Sequence, residues 1–264
     1  MSVTRRRGVA APTTAVPAAL LAALLAAAAP SAARGQGRFP PDSLVNLKYF
    51  PKTIAVRDLI DSMRQFSFAL GVRCQFCHEG REGMPLDSFN FRSDDKRTKR
   101  AARVMLDMVR HINDEHLADV PDRPEPHVVV SCATCHRGVN RPMDLATILL
   151  GAARAAGLDS ALRAYRALRD GYYGRASYDF GEPTLNTVSE GLAGDRRWDD
   201  AVAVLRLNAQ YFPNSPQIPT RLGEALLAKG DTAGAIASYR QALMVNAQNP
   251  LARRRLAQLG AAPN

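Results

Sequence analysis

Leu59, Ile60, Met63, Phe66 and Leu70 form an i, i+3/4, i+7 stripe that predicts a helix from Thr53 to Leu70, stopped by Gly71. A second helix is predicted from Asp94 or Asp95 to about Leu117, with Ala102, Met105, Met108 and Ile112 on its apolar face. Between them, residues 79–93 are rich in Gly, Pro, Asp and Ser and read as loop. Pro121, Pro124 and Pro126 then enforce an extended connection, because proline has no backbone donor and a fixed φ. From residue 144 onward Ala, Leu and Arg follow one another at helical spacing. The pattern predicts an all-α fold.

The second half repeats itself. Ala201, Leu205, Pro213 and Ser215 recur 34 residues later as Ala235, Tyr239, Ala247 and Asn249. Such a period resembles the tetratricopeptide repeat, in which a small residue lets two antiparallel helices approach and a larger one fills the groove. Ala161 and Tyr165 read as a further half-unit, and Leu251–Leu259 as a closing helix. The expected organisation is a leader over 1–35, a cysteine-bearing domain over 44–143 and a helical repeat domain over 145–264.

Composition narrows the function classes. The 264 residues are 46% apolar and carry a net charge of +10. Four of those charges are the leader arginines Arg5, Arg6, Arg7 and Arg34, and each later region adds only three. No basic block is interleaved with aromatics, so no nucleic-acid partner is expected. The arginines precede an Ala/Leu run from Ala15 to Ala29 and a tail of small residues, which is the order of a cleavable export signal. A periplasmic protein is expected, or a membrane-associated one if the leader stays uncut. No cysteine follows the apolar run, so no lipid anchor is expected.

All four cysteines fall in two pentads, Cys74-Gln75-Phe76-Cys77-His78 and Cys132-Ala133-Thr134-Cys135-His136. C-x-x-C-H is the attachment signature of c-type haem. Residues i and i+3 share one face of a helical turn, so both sulfurs can reach one haem, and the next residue sets an imidazole over the iron. Two covalently bound haem c groups are expected, with His78 and His136 as iron ligands. A four-cysteine zinc site leaves the histidine after each pair unexplained. A thioredoxin-like pair lacks its strand-to-helix context, and a disulfide within C-x-x-C is strained. For the sixth ligands the residues leave Met63, Met84, Met105, Met108, Met143, His111, His116 and His127 open.

The segments NLKYFPK, SMRQFSFALGVRCQFCH, SDDKRTKRAARVMLDMVRHIN and SCATCHRG, over about residues 45–143, resemble the cytochrome c subunit of photosynthetic reaction centres. In that family a helix before each haem donates an axial methionine. The resemblance implies Met63 for the first site and Met108 for the second, with Met105 and His111 as the nearest rivals. Two pentads correspond to one half of the usual four-haem subunit, and the helical repeats lie outside the resemblance.

These features imply an exported dihaem electron carrier. Its redox partners would be a membrane complex or a soluble cytochrome, and its repeats would bind a further protein. Two other classes compete with it: a dihaem peroxidase or nitrogen-oxide reductase with one open iron, and a repeat-based scaffold with structural haems. An export leader and paired methionines favour the carrier, and no other catalytic constellation is present in the sequence.

Overall fold

The computed structural model describes residues 38–263, and every regular element among them is helical. The leader expected over 1–35 lies outside the described residues.

The first helix, α1 (Val56–Leu70), begins three residues later than Thr53 and ends at Gly71. Gly71 adopts φ +64, and the N–H groups of Gly71 and Val72 donate to the carbonyls of Phe68 and Ser67. This left-handed turn satisfies the last carbonyls of the helix and swings the chain into the first pentad. The loop that follows is pinned by one bridge between Glu79 and Asn90 and by a short 3₁₀ turn over Leu86–Ser88.

Helix α2 (Arg97–His111) starts beyond Asp94 and Asp95, because those residues are used in the turn before it. The Asp94 carboxylate accepts from Asn46 and Lys48 at 2.9 and 2.8 Å, and Asp95 accepts from the Ser93 hydroxyl. A π-helical turn, Ile112–His116, extends the end of α2. The second pentad is itself a one-turn helix, α3 (Cys132–His136).

Seven helices follow: α4 (Leu145–Ala156), α5 (Leu158–Tyr172), α6 (Glu182–Gly194), α7 (Trp198–Tyr211), α8 (Ile218–Lys229), α9 (Thr232–Val245) and α10 (Pro250–Gln258). Consecutive helices pack as pairs, α4 on α5, α6 on α7 and α8 on α9, with α10 closing the end. The expected half-unit at Ala161 is thus a full pair, because α4 supplies its first helix. The repeated small/large positions take equivalent places. Ala161 and Tyr165 on α5, Ala201 and Leu205 on α7, and Ala235 and Tyr239 on α9 are all at most 2% exposed. Gly223 of α8 faces the Tyr239 ring so closely that a Cβ there would lie 2.5 Å from its Cε1.

Burial is very uneven. Among residues 38–143 only Ala69, Phe89 and Val139 are buried apolar side chains, against twenty-three in the helices and links that follow. The later helices bury two contiguous clusters, one spanning α4 to α7 and one spanning α7 to α10. That is an ordinary helical core, in which packed apolar area supplies the stability. The cysteine-bearing region has no such core of its own.

Candidate functional site

The first pentad is a 3₁₀ turn, Cys74–Phe76, closed by the N–H groups of Cys77 and His78 donating to the Cys74 carbonyl. The N-terminus of α2 grips this turn from outside. The Lys96 ammonium donates to the Gln75 carbonyl and the Thr98 hydroxyl to the Phe76 carbonyl. Lys99, buried on α2, donates to the carbonyls of Phe91 and Ser93 at 2.8 and 2.7 Å. The Phe91 ring in turn meets His78 edge-on, with centroids 4.9 Å apart. Burial first, and then the charges of Lys99, Lys96 and Arg103, push the His78 pKa down to about 4, so its imidazole is neutral at pH 7. Its Nδ1 is buried and has no hydrogen-bond partner.

Asp94 holds this cationic group together. Its carboxylate meets Arg103 at 2.8 Å, Lys48 at 2.8 Å and Lys99 at 3.3 Å. The Arg103 contact, followed by Lys48, Asn46 and Lys99, holds Asp94 far below the usual carboxylate range.

The second pentad is positioned differently. Asn113, just past α2, donates to the Val130 carbonyl at 2.8 Å and accepts from the Val130 N–H at 2.8 Å. This two-way bond brings the chain into α3. The Ser131 N–H then donates to the Thr134 hydroxyl at 3.0 Å, which closes the first turn. At the other end Arg137 turns left-handed at φ +48, and His136 Nδ1 lies 2.9 Å from the Val139 carbonyl. A carbonyl only accepts, so Nδ1 carries the proton and Nε2 keeps its lone pair.

The two sites share one frame. Helix α1 leads into the first pentad, yet it packs on α3 of the second. Gly138 N–H donates to the Ala69 carbonyl at 2.8 Å, and a Cβ on Gly71 would lie 2.0 Å from the Gly138 oxygen. The Arg137-Gly138 turn is therefore a docking point for α1, and the Ser177 hydroxyl donates to the Arg137 carbonyl at 2.6 Å from the other side.

The four cysteines are free thiols, and Cys135 is exposed while the other three are half-buried. Among the described residues no three His, Cys, Asp or Glu side chains gather as a bare-ion site, so the two cysteine pairs do not meet around one tetrahedral metal. Met63 is half-buried on α1. Met108 and its rival Met105 are each 46% exposed, and Val104 beside them is 66% exposed. The α2 face expected to enter the core is therefore exposed at Met105 and Met108, while Ala102 and Ile112 on it are half-buried. The protein-facing side of α2 instead carries Lys99, Arg103 and Leu106, with Asn113 just past its end, drawn inward by the Asp94 and Val130 contacts. His111 is exposed, with Nδ1 2.8 Å from the Asp107 carbonyl, and that contact, then Glu115, raises its pKa.

Sequence reasoning missed three residues that set this geometry: Asn113, Val139 and Lys99. Asn113 could have been found as a polar residue closing a helical segment ahead of a proline-rich link. Val139 acts through its backbone, which leaves no side-chain signal. Replacing Asn113 with Ala removes both bonds to Val130, at about 0.5–1.5 kcal/mol each. Amide exchange over residues 130–136 is expected to quicken about tenfold while α6 to α9 stay unchanged. Unaltered exchange would mean that Asn113 does not place α3.

Comparison with known proteins adds to this geometry. The family described as Photosynthetic reaction centre cytochrome C subunit matches residues 85–162, from the loop after the first pentad into α5. Cytochrome c-554 of Chloroflexus aurantiacus is 37% identical over 108 residues, which is 38% of this chain and 23% of that protein. The chain thus spans about a quarter of the length of the curated relative it matches. Among solved structures, PcrH in complex with the chaperone binding region of PopB covers 44% of this chain and 89% of its own, at 19% identity and a TM-score of 0.28. A likeness that loose bears on neither fold nor function. The matched residues include the second pentad, and this part of the chain is similar to the cytochrome c subunit of photosynthetic reaction centres.

Proposed function

We propose that the protein is an exported dihaem c-type cytochrome that carries single electrons between redox proteins. The observation that carries this reading is the mismatch between residues and core in the first region. About a hundred residues bury three apolar side chains, yet they hold two C-x-x-C-H turns and expose an apolar, methionine-bearing helix face. A region that small in core needs a staple or a cofactor to fold. Free thiols at i and i+3 and a His136 tautomer fixed by Val139 both fit covalent haem.

Cys74 and Cys77 would hold one group and Cys132 and Cys135 the other. His78 and His136 would each give an imidazole nitrogen to iron, and Met63 and Met108 would be the further ligands. Bound there, haem c supplies a one-electron iron couple whose potential the protein tunes through ligands, hydrogen bonds and burial. The chain's own residues do the rest. The Val139 carbonyl orients the His136 ring. Met63 on α1 and the exposed Val104, Met105 and Met108 on α2 would supply apolar and thioether contacts to the haems. A histidine and a methionine ligand for each iron would leave no position for substrate, which favours a carrier over an enzyme.

The leader arginines and Ala/Leu run support export to the periplasm, where such cofactors are attached. Among the described residues no helix is long and apolar enough to cross a membrane. The helices from 145 onward are proposed as a tetratricopeptide-like unit for a protein partner. Of the arginines that could face such a partner (Arg163, Arg166, Arg206, Arg221 and Arg240), only Arg221 lines the groove of about 790 Å³ along α6, α8 and α10, and it is paired with Glu190. The other four stand on α5, α7 and α9.

A pyridine haemochrome assay on protein matured in a c-type host is expected to count two haems per chain. Met63→Ala and Met108→Ala should each remove half of the weak methionine-to-iron absorption at the red end of the spectrum. A count of one or none would overturn the dihaem reading. Loss of that absorption from Met105→Ala instead of Met108→Ala would move the second ligand one turn along α2.

A further inference from the structure

We propose that the two sites are built unequal and that the iron held by His78 has the higher reduction potential, because α2 surrounds the first pentad with cations while His136 alone donates its Nδ1 proton to the protein. This rests on the dihaem reading above.

Three differences point the same way. The first is charge. Lys96 bonds the pentad backbone directly, and Lys99 bonds the carbonyl of Phe91, whose ring meets His78 edge-on. Lys48 and Arg103 join Lys99 on the single carboxylate of Asp94. The other acid beside this site, Glu79, accepts from the Asn90 amide at 2.9 Å. Exposed Arg100 and Asp95 offset each other. Four cations thus face two carboxylates. Lys99 and Arg103 have side chains only 11% and 21% exposed, so solvent screens them little. Ferric iron carries one more positive charge than ferrous, so nearby fixed cations favour the reduced state. Around the second pentad, no described Lys or Arg side chain donates to the carbonyls of residues 131–139, and Arg137 and Arg141 are exposed.

The second difference is the imidazole. A ligand histidine whose other nitrogen donates to a carbonyl is more basic and supports the more charged metal. His136 has that bond to Val139 at 2.9 Å, and His78 Nδ1 has none. The third is solvent. Cys135 is exposed, whereas Cys74 and Cys77 are both half-buried. Water near the second site favours ferric iron, and burial at the first favours ferrous. In the singly reduced protein the electron resides at the first site, leaving ferrous iron at His78 and ferric iron at His136.

Spectropotentiometric titration of the full-length protein tests this, with the haem count taken on the same sample. Two one-electron waves are expected. Lys99→Gln keeps a donor for the two carbonyls and removes the charge. It should lower the upper wave by about tenfold in the reduction constant, or 59 mV, and leave the lower wave unmoved. Asp94→Asn removes the counter-charge and should raise that same wave. Lys96→Gln repeats the first measurement at a residue that holds no part of the Asp94 cluster. Opposite shifts confined to the upper wave support the ordering. A shift of the lower wave, equal shifts of both, or the same sign in Lys99→Gln and Asp94→Asn would overturn it. A count below two haems overturns the dihaem reading and this ordering with it, whereas a count of two with the wrong wave moving overturns the ordering alone.

Discussion

Gly71→Ala is expected to detach α1 from the second pentad and to cost about 3 kcal/mol or more. Two penalties combine at this position. Gly71 sits at φ +64, where an L side chain pays about 1–2 kcal/mol. The new Cβ would also stand 2.0 Å from the Gly138 carbonyl oxygen, and that neighbour is backbone rather than a flexible side-chain tip. Relief requires the end of α1 to move away from the Arg137-Gly138 turn, breaking the Gly138-to-Ala69 bond at 2.8 Å. Gly83 supplies the control. It has φ +81 and nothing within 4 Å of a built Cβ, so Gly83→Ala pays the backbone penalty alone. Urea unfolding followed through the haem spectrum should therefore show a much larger loss for Gly71→Ala than for Gly83→Ala. Equal losses would mean that α1 and the second pentad do not depend on this close approach. Under the ligation proposed for Met63 on α1, the methionine-to-iron absorption of the first site should weaken together with the second site's stability.

Tyr239→Ala is expected to unfold α8 to α10 while leaving the haem spectrum unchanged. Tyr239 is fully buried at the centre of the second apolar cluster. Truncating a large buried aromatic costs about 3–5 kcal/mol in transfer and cavity terms. Here the ring also fills the gap left by Gly223, and its hydroxyl donates to Glu224 at 2.5 Å. Glu224 in turn holds Arg255 of α10, with Arg255 Nε at 2.8 Å. One substitution therefore loosens the pair α8–α9 and the helix that closes the stack. Amide exchange over residues 218–258 should accelerate strongly. Loss of the haem spectrum at the same urea concentration would show that the repeats and the cytochrome region fold as one unit, contrary to the organisation proposed here.

Much of this molecule could be read without its structure, and for a common reason. The pentads are legible because the cofactor needs two sulfurs and an imidazole within five consecutive residues. The helices are legible because apolar stripes at Leu59–Leu70, and the recurrence of Ala201/Leu205 as Ala235/Tyr239, express a local periodicity. Requirements satisfied inside one turn, or repeated at a fixed interval, leave their mark on neighbouring letters. Helix starts were less legible. Asp94 and Asp95 read as helix openers, but their carboxylates are taken by Asn46, Lys48 and Ser93, so α2 begins at Arg97.

What only the tertiary structure decided is which distant groups meet. Met105 and Met108 share the apolar stripe of α2, yet both are 46% exposed, because Asp94 and Val130 turn the other side of that helix toward the protein. The grip of Lys96 and Thr98 on the first pentad, and the Val139 carbonyl under His136, also arise from folding. The meeting of Gly71 with Gly138 has no sequence signal beyond two glycines, each of which reads as an ordinary turn. Sequence specifies the proposed chemistry of each pentad because its two cysteines and histidine lie within five residues. The difference between the two sites belongs to the fold, because charge, hydrogen bonding and solvent reach them from residues that are near only in space.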